Sequence, residues 1–158
     1  MNREKLIKKR EALKVKRSLE NRLKRINDLI KYLDWNSIEY CIHINCEKVT
    51  KVLSTYPAQF SGLDWDKISN SEKVTYDDLT ERNKIIATII TQNLDASDTV
   101  FVTWSDGYKP ILEIAANLAA ENSSIMADED FDMWVLNLEK EFCLEHHHEG
   151  YVAWTIAS

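Results

Sequence analysis

The second half of this chain is a succession of short β-former segments, broken only by one Ala-rich stretch at 116–126. That ordering restricts the fold more than any other feature. Thr99–Ser105, Ile111–Ala115, Met133–Leu136, Phe142–His148 and Tyr151–Ile156 are rich in β-branched and aromatic residues, which suit a pleated, half-buried surface. Asp106 and Gly107 form a hairpin signal between the first two. Pro110 falls at the start of the returning strand, where a missing N–H is tolerated. The last three segments read as a meander, with Glu149 and Gly150 at its final turn. Helical spacing dominates the first half. Helices first and strands last is α+β order, not the strand–helix alternation of a parallel sheet. The expectation is α+β: N-terminal helices followed by a mainly antiparallel sheet of about five strands.

In the first half, residues 1–17 are polar and basic and read as an exposed helix or arm. Leu19, Leu23, Ile26, Ile30 and Leu33 then line one face of a helix ending near Asp34. A short strand is expected at Ile38–Ile44 and a short helix from Asn45, stopped at Tyr56 and Pro57. Residues 57–74 read as a long ordered loop. Thr75 and Asp78 resemble a capping box opening a helix to Asn93, with Leu79, Ile86 and Ile90 facing inward. Trp104, Trp134 and Trp154 are expected in the core.

Charge divides the chain at nearly the same place as the helical stripe ends. Residues 1–31 hold twelve Lys/Arg against four Asp/Glu, +8, and the other 127 residues carry -14. Two regions follow: a basic amphipathic helical segment at 1–34 and an acidic α+β domain at 35–158. Such asymmetry concerns partners rather than fold. Three cysteines without a CxxC pair fit a reducing compartment. The longest strongly apolar run of the helical region, Ile85–Ile90, is too short to span a bilayer. The charged N-terminus has no apolar stretch behind it to make a signal peptide. A cytoplasmic protein without membrane contact is expected.

Catalytic signatures are missing. The sequence has neither a G-x-S-x-G elbow nor a Walker A or dinucleotide motif, and three glycines cannot build the last two. His146, His147 and His148 invite a metal reading, in which His146 and His148 share a strand face. No second His-x-His or CxxC supports it. Asp128, Asp130, Asp132 and Glu139 match a calcium-loop register, but Met133 stands where that loop needs Gly. A non-enzymatic binding protein with no metal and no cofactor is expected.

Its acids are then the natural contacts. Nucleases act on polyphosphates and need basic clefts, which a carboxylate cluster can occupy and be steered toward. The best cluster is Asp128, Glu129, Asp130 and Asp132. Asp77 and Asp78, Glu145 and Glu149, and Asp64 and Asp66 flanking Trp65 are further candidates.

The segments Val100–Leu112, Asp130–Asn137 and Leu144–Gly150 resemble immunity proteins of bacterial contact-dependent growth inhibition systems. The similarity covers roughly 99–156. It lies in a strand ending in Trp104, Ser105 and Asp106, a Phe131-Asp132-Met133-Trp134 segment, and a late His148-Glu149-Gly150 turn. It implies a cytosolic protein that binds the C-terminal toxin domain of a cognate effector, at its active site or a neighbouring exosite. Those toxins are often nucleases, many acting on transfer RNA. A protein partner is expected in preference to nucleic acid, with an additional protein contact open to residues 1–31. The alternatives are a nucleic-acid-binding regulator using the basic helix and a metal-dependent hydrolase using His146 and His148.

Overall fold

The structure, a computed structural model, describes residues 3–157; Met1, Asn2 and Ser158, which the readings of residues 1–34 and 35–158 include, lie outside the described residues. In chain order the elements are α1 (Arg3–Lys24), α2 (Asn27–Trp35), β1 (Tyr40–His43), α3 (Glu47–Thr55), a 3-10 turn (Trp65–Lys67), β2 (Ser71–Thr75), α4 (Leu79–Asn93), β3 (Thr99–Trp104), β4 (Ile111–Ala115), α5 (Ala116–Glu121), α6 (Ser123–Ala127), β5 (Met133–Asn137), β6 (Phe142–His147) and β7 (Tyr151–Thr155). The strands form one sheet in the order β1-β4-β3-β5-β6-β7-β2, every pair antiparallel. The α+β class therefore holds, with seven strands in place of about five. β3 and β4 pair as expected across the Asp106–Gly107 turn, and β5, β6 and β7 form the meander.

The two extra strands are the sheet's edges. β1 is the short strand expected at Ile38–Ile44. β2 takes up the end of the segment read as loop together with Thr75, read as the start of a capping box. Its side chains from Glu72 to Thr75 are exposed, so no buried apolar alternation announces it. Pairing with β7 from Ser71 to Thr75 makes it a strand.

Both faces of the sheet are covered. On one, Val100, Val102, Leu112, Met133, Val135, Leu144 and Val152 pack against Ile26, Leu29 and Leu33 of the α1–α2 region, against α4 and against α5–α6. On the other, Leu136, Cys143, Tyr151 and Ala153 pack against Val49 of α3 and against Leu63 and Trp65. Side chains alternate along a strand, so β6 sends Phe142 and Leu144 to the first face and Cys143 to the second. With both sides roofed, all six β6 residues are buried. Trp104 is in the core, whereas Trp134 and Trp154 are only half-buried.

Two helix starts differ from the sequence reading. The stripe from Leu19 to Leu33 is broken at Arg25 and Ile26, where the chain closes with Arg25 N–H to Arg22 O and Ile26 N–H to Leu23 O. The break lets α2 bury Leu29 and Leu33 while α1 buries nothing. At α4 the cap is Asp78, which accepts from the Glu81 N–H at 2.8 Å, and the Glu81 carboxylate accepts from the Asp77 N–H at 2.8 Å. This is capping-box logic three residues later than the expected start, Thr75 being the last residue of β2. Leu79, expected inside, is 59% exposed. No helix among the described residues is long and apolar enough to cross a membrane.

Candidate functional site

The far end of β6 and its turn into β7 gather most of the polar residues singled out above. Strand alternation sends Glu145 and His147 to the face roofed by the 57–68 loop, and His146 to the helical face. Glu145 is fully buried and accepts hydrogen bonds from the Trp65 indole N–H and from the Leu63 N–H, the latter at 3.2 Å. Burial pushes the Glu145 carboxyl up, and the two donors act against that. Gly62 passes directly over this carboxylate with φ +86°; a Cβ there would run into Glu145 and the His147 ring. Glu145 and Trp65 thus form an internal polar post holding the loop to the sheet. Both stand among the expected contacts and both are buried, Glu145 beneath this loop and Trp65 within it.

His147 is buried between the rings of Tyr151 (4.7 Å between centroids) and His148 (4.3 Å). Its Nδ1 accepts from the Glu149 N–H at 3.2 Å, so the ring proton sits on Nε2, which donates to the Ser61 carbonyl at 3.0 Å. The Asp132 carboxylate accepts from the His148 N–H and from its Nδ1, both at 2.8 Å. A ligand atom from each of Asp132, His147 and His148 lies within 4.8 Å of the others. This triad, not a His146–His148 pair, is the closest approach to a metal-ligand set among the described residues. The His147 nitrogen facing Asp132 at 4.0 Å is the one that carries the proton. In this tautomer that nitrogen has no lone pair to offer a cation.

The acidic loop is largely neutralised from within. Lys109 reaches Glu129 at 3.2 Å and Asp130 at 3.5 Å. Arg82, itself buried, bonds Asp128 at 2.6 Å. Burial opposes the charge on Asp130, but the N–H groups of Asp106 and Phe131 together with Lys109 outweigh it and hold its carboxyl below the usual range. Burial pushes the Glu129 carboxyl up against Lys109. Asp132 is buried. Of the four acids, Asp128 alone is exposed.

The Arg82–Asp128 pair ties this loop to the start of α4, and the Gly150 carbonyl accepts from the Tyr76 N–H at 3.1 Å, bringing the β6–β7 turn to the same corner. A groove of about 480 Å³ at this corner is lined by Tyr76, Leu79, Arg82, Asp128, Glu129, Asp130, Phe131, His146 and His148, and exposed Asp77, Asp78 and Glu149 are next to its lining residues along the chain. Phe131 is 76% exposed, and its ring meets the His148 ring edge to face, with centroids 6.4 Å apart. Sequence reasoning missed Leu79 and Phe131 as surface groups. The available signal was a large aromatic inside an acidic loop. Asp64, paired with Lys67 at 2.7 Å, and exposed Asp66 flank Trp65 beneath the opposite sheet face and do not join this groove.

His146, bonded to the Tyr76 hydroxyl at 2.8 Å, is driven down to about 4, first by burial and then by Arg82, with Asp132 opposing. Below its ordinary value the unfolded chain takes up a proton that the fold refuses. The stability this represents is present above about pH 6.5 and is lost as pH falls toward about 4. Glu145, shifted upward, contributes in the opposite sense, so a comparison with His146→Gln isolates the histidine. Between about pH 7 and pH 5, urea unfolding of the native chain should lose about 2 kcal/mol more than that of His146→Gln. Equal losses would show that His146 is protonated without cost in the fold.

Comparison with known proteins bears on the chain as a whole. A search of curated proteins finds no match. The family model described as CdiI immunity protein EcoliA0-like matches residues 43–155, which take in β1's last residue and every later strand and helix. With most of the chain and all but the edge of the sheet inside that match, the protein belongs to the EcoliA0-like family of CdiI immunity proteins.

Proposed function

We propose that this immunity protein neutralises the C-terminal toxin domain of its cognate contact-dependent inhibition effector by stoichiometric binding through the groove at the α4 start. The toxin is a nuclease, transfer RNA being one substrate of that class, and the encounter takes place in the cytoplasm. One observation carries the choice of surface: Leu79 and Phe131, large apolar groups left 59% and 76% exposed, line one groove with Asp128, Glu129 and Asp130, and exposed Asp77, Asp78 and Glu149 adjoin its lining residues along the chain. Apolar anchors within a polar rim are the usual anatomy of a binding patch. The rim carries the sign that a polyphosphate-binding cleft attracts.

No bond is made or broken in this mechanism. Carboxylates steer the encounter, Phe131 and Leu79 are desolvated on docking, and the occupied cleft excludes its substrate. Lys109, shared between Glu129 and Asp130 in the groove lining, holds the loop in place. Co-expression with the C-terminal domain of the neighbouring effector tests the reading. A co-purifying 1:1 complex and restored growth are expected; separate elution with no protection would defeat it.

A further inference from the structure

We propose that one face of α1, closed at its base by Tyr108, binds the phosphate backbone of a single-stranded polynucleotide. The proposal does not rest on the immunity reading, since α1 lies outside residues 43–155 matched by the family.

Helix α1 has 22 residues and no buried side chain, so it stands about 33 Å long against solvent. Arg25 lies in the turn just beyond α1; on the helix itself Arg3, Arg10, Lys14, Arg17 and Asn21 follow one another at intervals of seven, four, three and four residues. At 100° per residue these intervals keep them on a single face, and Glu4, Glu11 and Glu20 fall to either side of it. Near the C-terminal end this face becomes a groove of about 480 Å³ lined by Lys14, Arg17, Ser18, Asn21, Arg25 and Tyr108.

The base of the groove is tied to the body of the protein. Arg22 donates to the Ile44 carbonyl at 2.7 Å, and Arg25 pairs with Asp106 at 2.6 Å while lying over the Tyr108 ring at 5.1 Å. Arg25 thereby positions Tyr108, whose ring remains 65% exposed. Lys14 and Arg17 have no ion-pair partner among the described residues.

Lys and Arg heads, the Ser18 hydroxyl and the Asn21 amide are all donors, and an exposed aromatic ring beside cations is the platform on which an unpaired base stacks. The groove thus combines the two contacts that single-stranded recognition requires. A membrane surface is disfavoured because Ile7, Leu13 and Val15, each about half exposed or more, do not collect on one side.

The test uses the full chain and fluorescence anisotropy of a labelled mixed-sequence RNA of about 20 nucleotides, with the same DNA sequence as a second probe. With about four phosphates neutralised, log K should fall with log salt at a slope near -3. Lys14→Gln with Arg17→Gln should weaken binding about tenfold or more at about 50 mM salt and reduce the slope by about 1.4. Tyr108→Ala should weaken binding about fivefold or more and leave the slope unchanged, which is the mark of lost stacking. RNA and DNA of equal affinity would assign the contact to the phosphates, and an RNA preference would add the ribose. Absence of binding at about 50 mM salt, unchanged affinity in the double variant, or equal capture of polyglutamate would overturn the proposal.

Discussion

Glu145→Ala should destabilise the fold by about 3–5 kcal/mol, the cost of removing one partner from a buried charge-assisted cluster. The carboxylate is fully buried and satisfies the Trp65 indole and the Leu63 N–H at once. Truncation strands both donors where the roof excludes water, and it leaves a void beneath Gly62. The roof itself is local, with Asp64 N–H to Pro57 O at 2.8 Å and Gln59 N–H to Gly62 O at 3.1 Å. Its attachment to the sheet rests on the Glu145 post, on the His147 bond to the Ser61 carbonyl and on the packing of Leu63 and Trp65. Glu145→Gln keeps the volume and one acceptor oxygen, and should cost about 1 kcal/mol. Equilibrium urea unfolding measures both. If Glu145→Ala unfolded within about 0.5 kcal/mol of the native chain, the post would have no structural role.

Phe131→Ala should raise the dissociation constant for the cognate toxin domain roughly 30-fold to 1000-fold, about 2–4 kcal/mol, with little change in stability. The side chain is 76% exposed, so the fold gains little from it and a partner can bury nearly all of it. Charge in the same rim should act on a different quantity. Asp77→Asn, Asp78→Asn and Asp128→Asn together remove steering while leaving an oxygen to cap α4 and to meet Arg82. Association should slow about tenfold at low salt and converge with the native rate at high salt, dissociation changing less. Stopped-flow kinetics separates the two effects. A Phe131→Ala variant with native affinity would remove the groove from the interface.

The class of fold was legible because its determinants are local. β3 to β7 are written in β-branched and aromatic runs with turn residues between them. The edges were harder. β2 shows no apolar alternation because it lies exposed at a margin, and its strand character comes from β7. The same dependence on tertiary context governs the site. Glu145 reads as a surface acid until Gly62, Leu63 and Trp65, some 80 residues earlier, are folded over it. Asp128, Glu129 and Asp130 read as a negative patch until Arg82 and Lys109 arrive from other elements to pair with them. Leu79 fits an inward helical spacing, but it occupies the first turn after the Asp78 cap, beyond the edge of the core. Charge and periodicity locate acids and helices along the chain; which acids remain uncompensated is decided by cations far away in sequence.

Amide hydrogen exchange on the purified complex with the cognate toxin domain addresses the central claim most directly. Complex formation should slow exchange at residues 76–82, 128–132 and 147–150, with the 57–68 roof unchanged. Native exchange rates in those three segments, with protection appearing elsewhere on the molecule, would contradict the account.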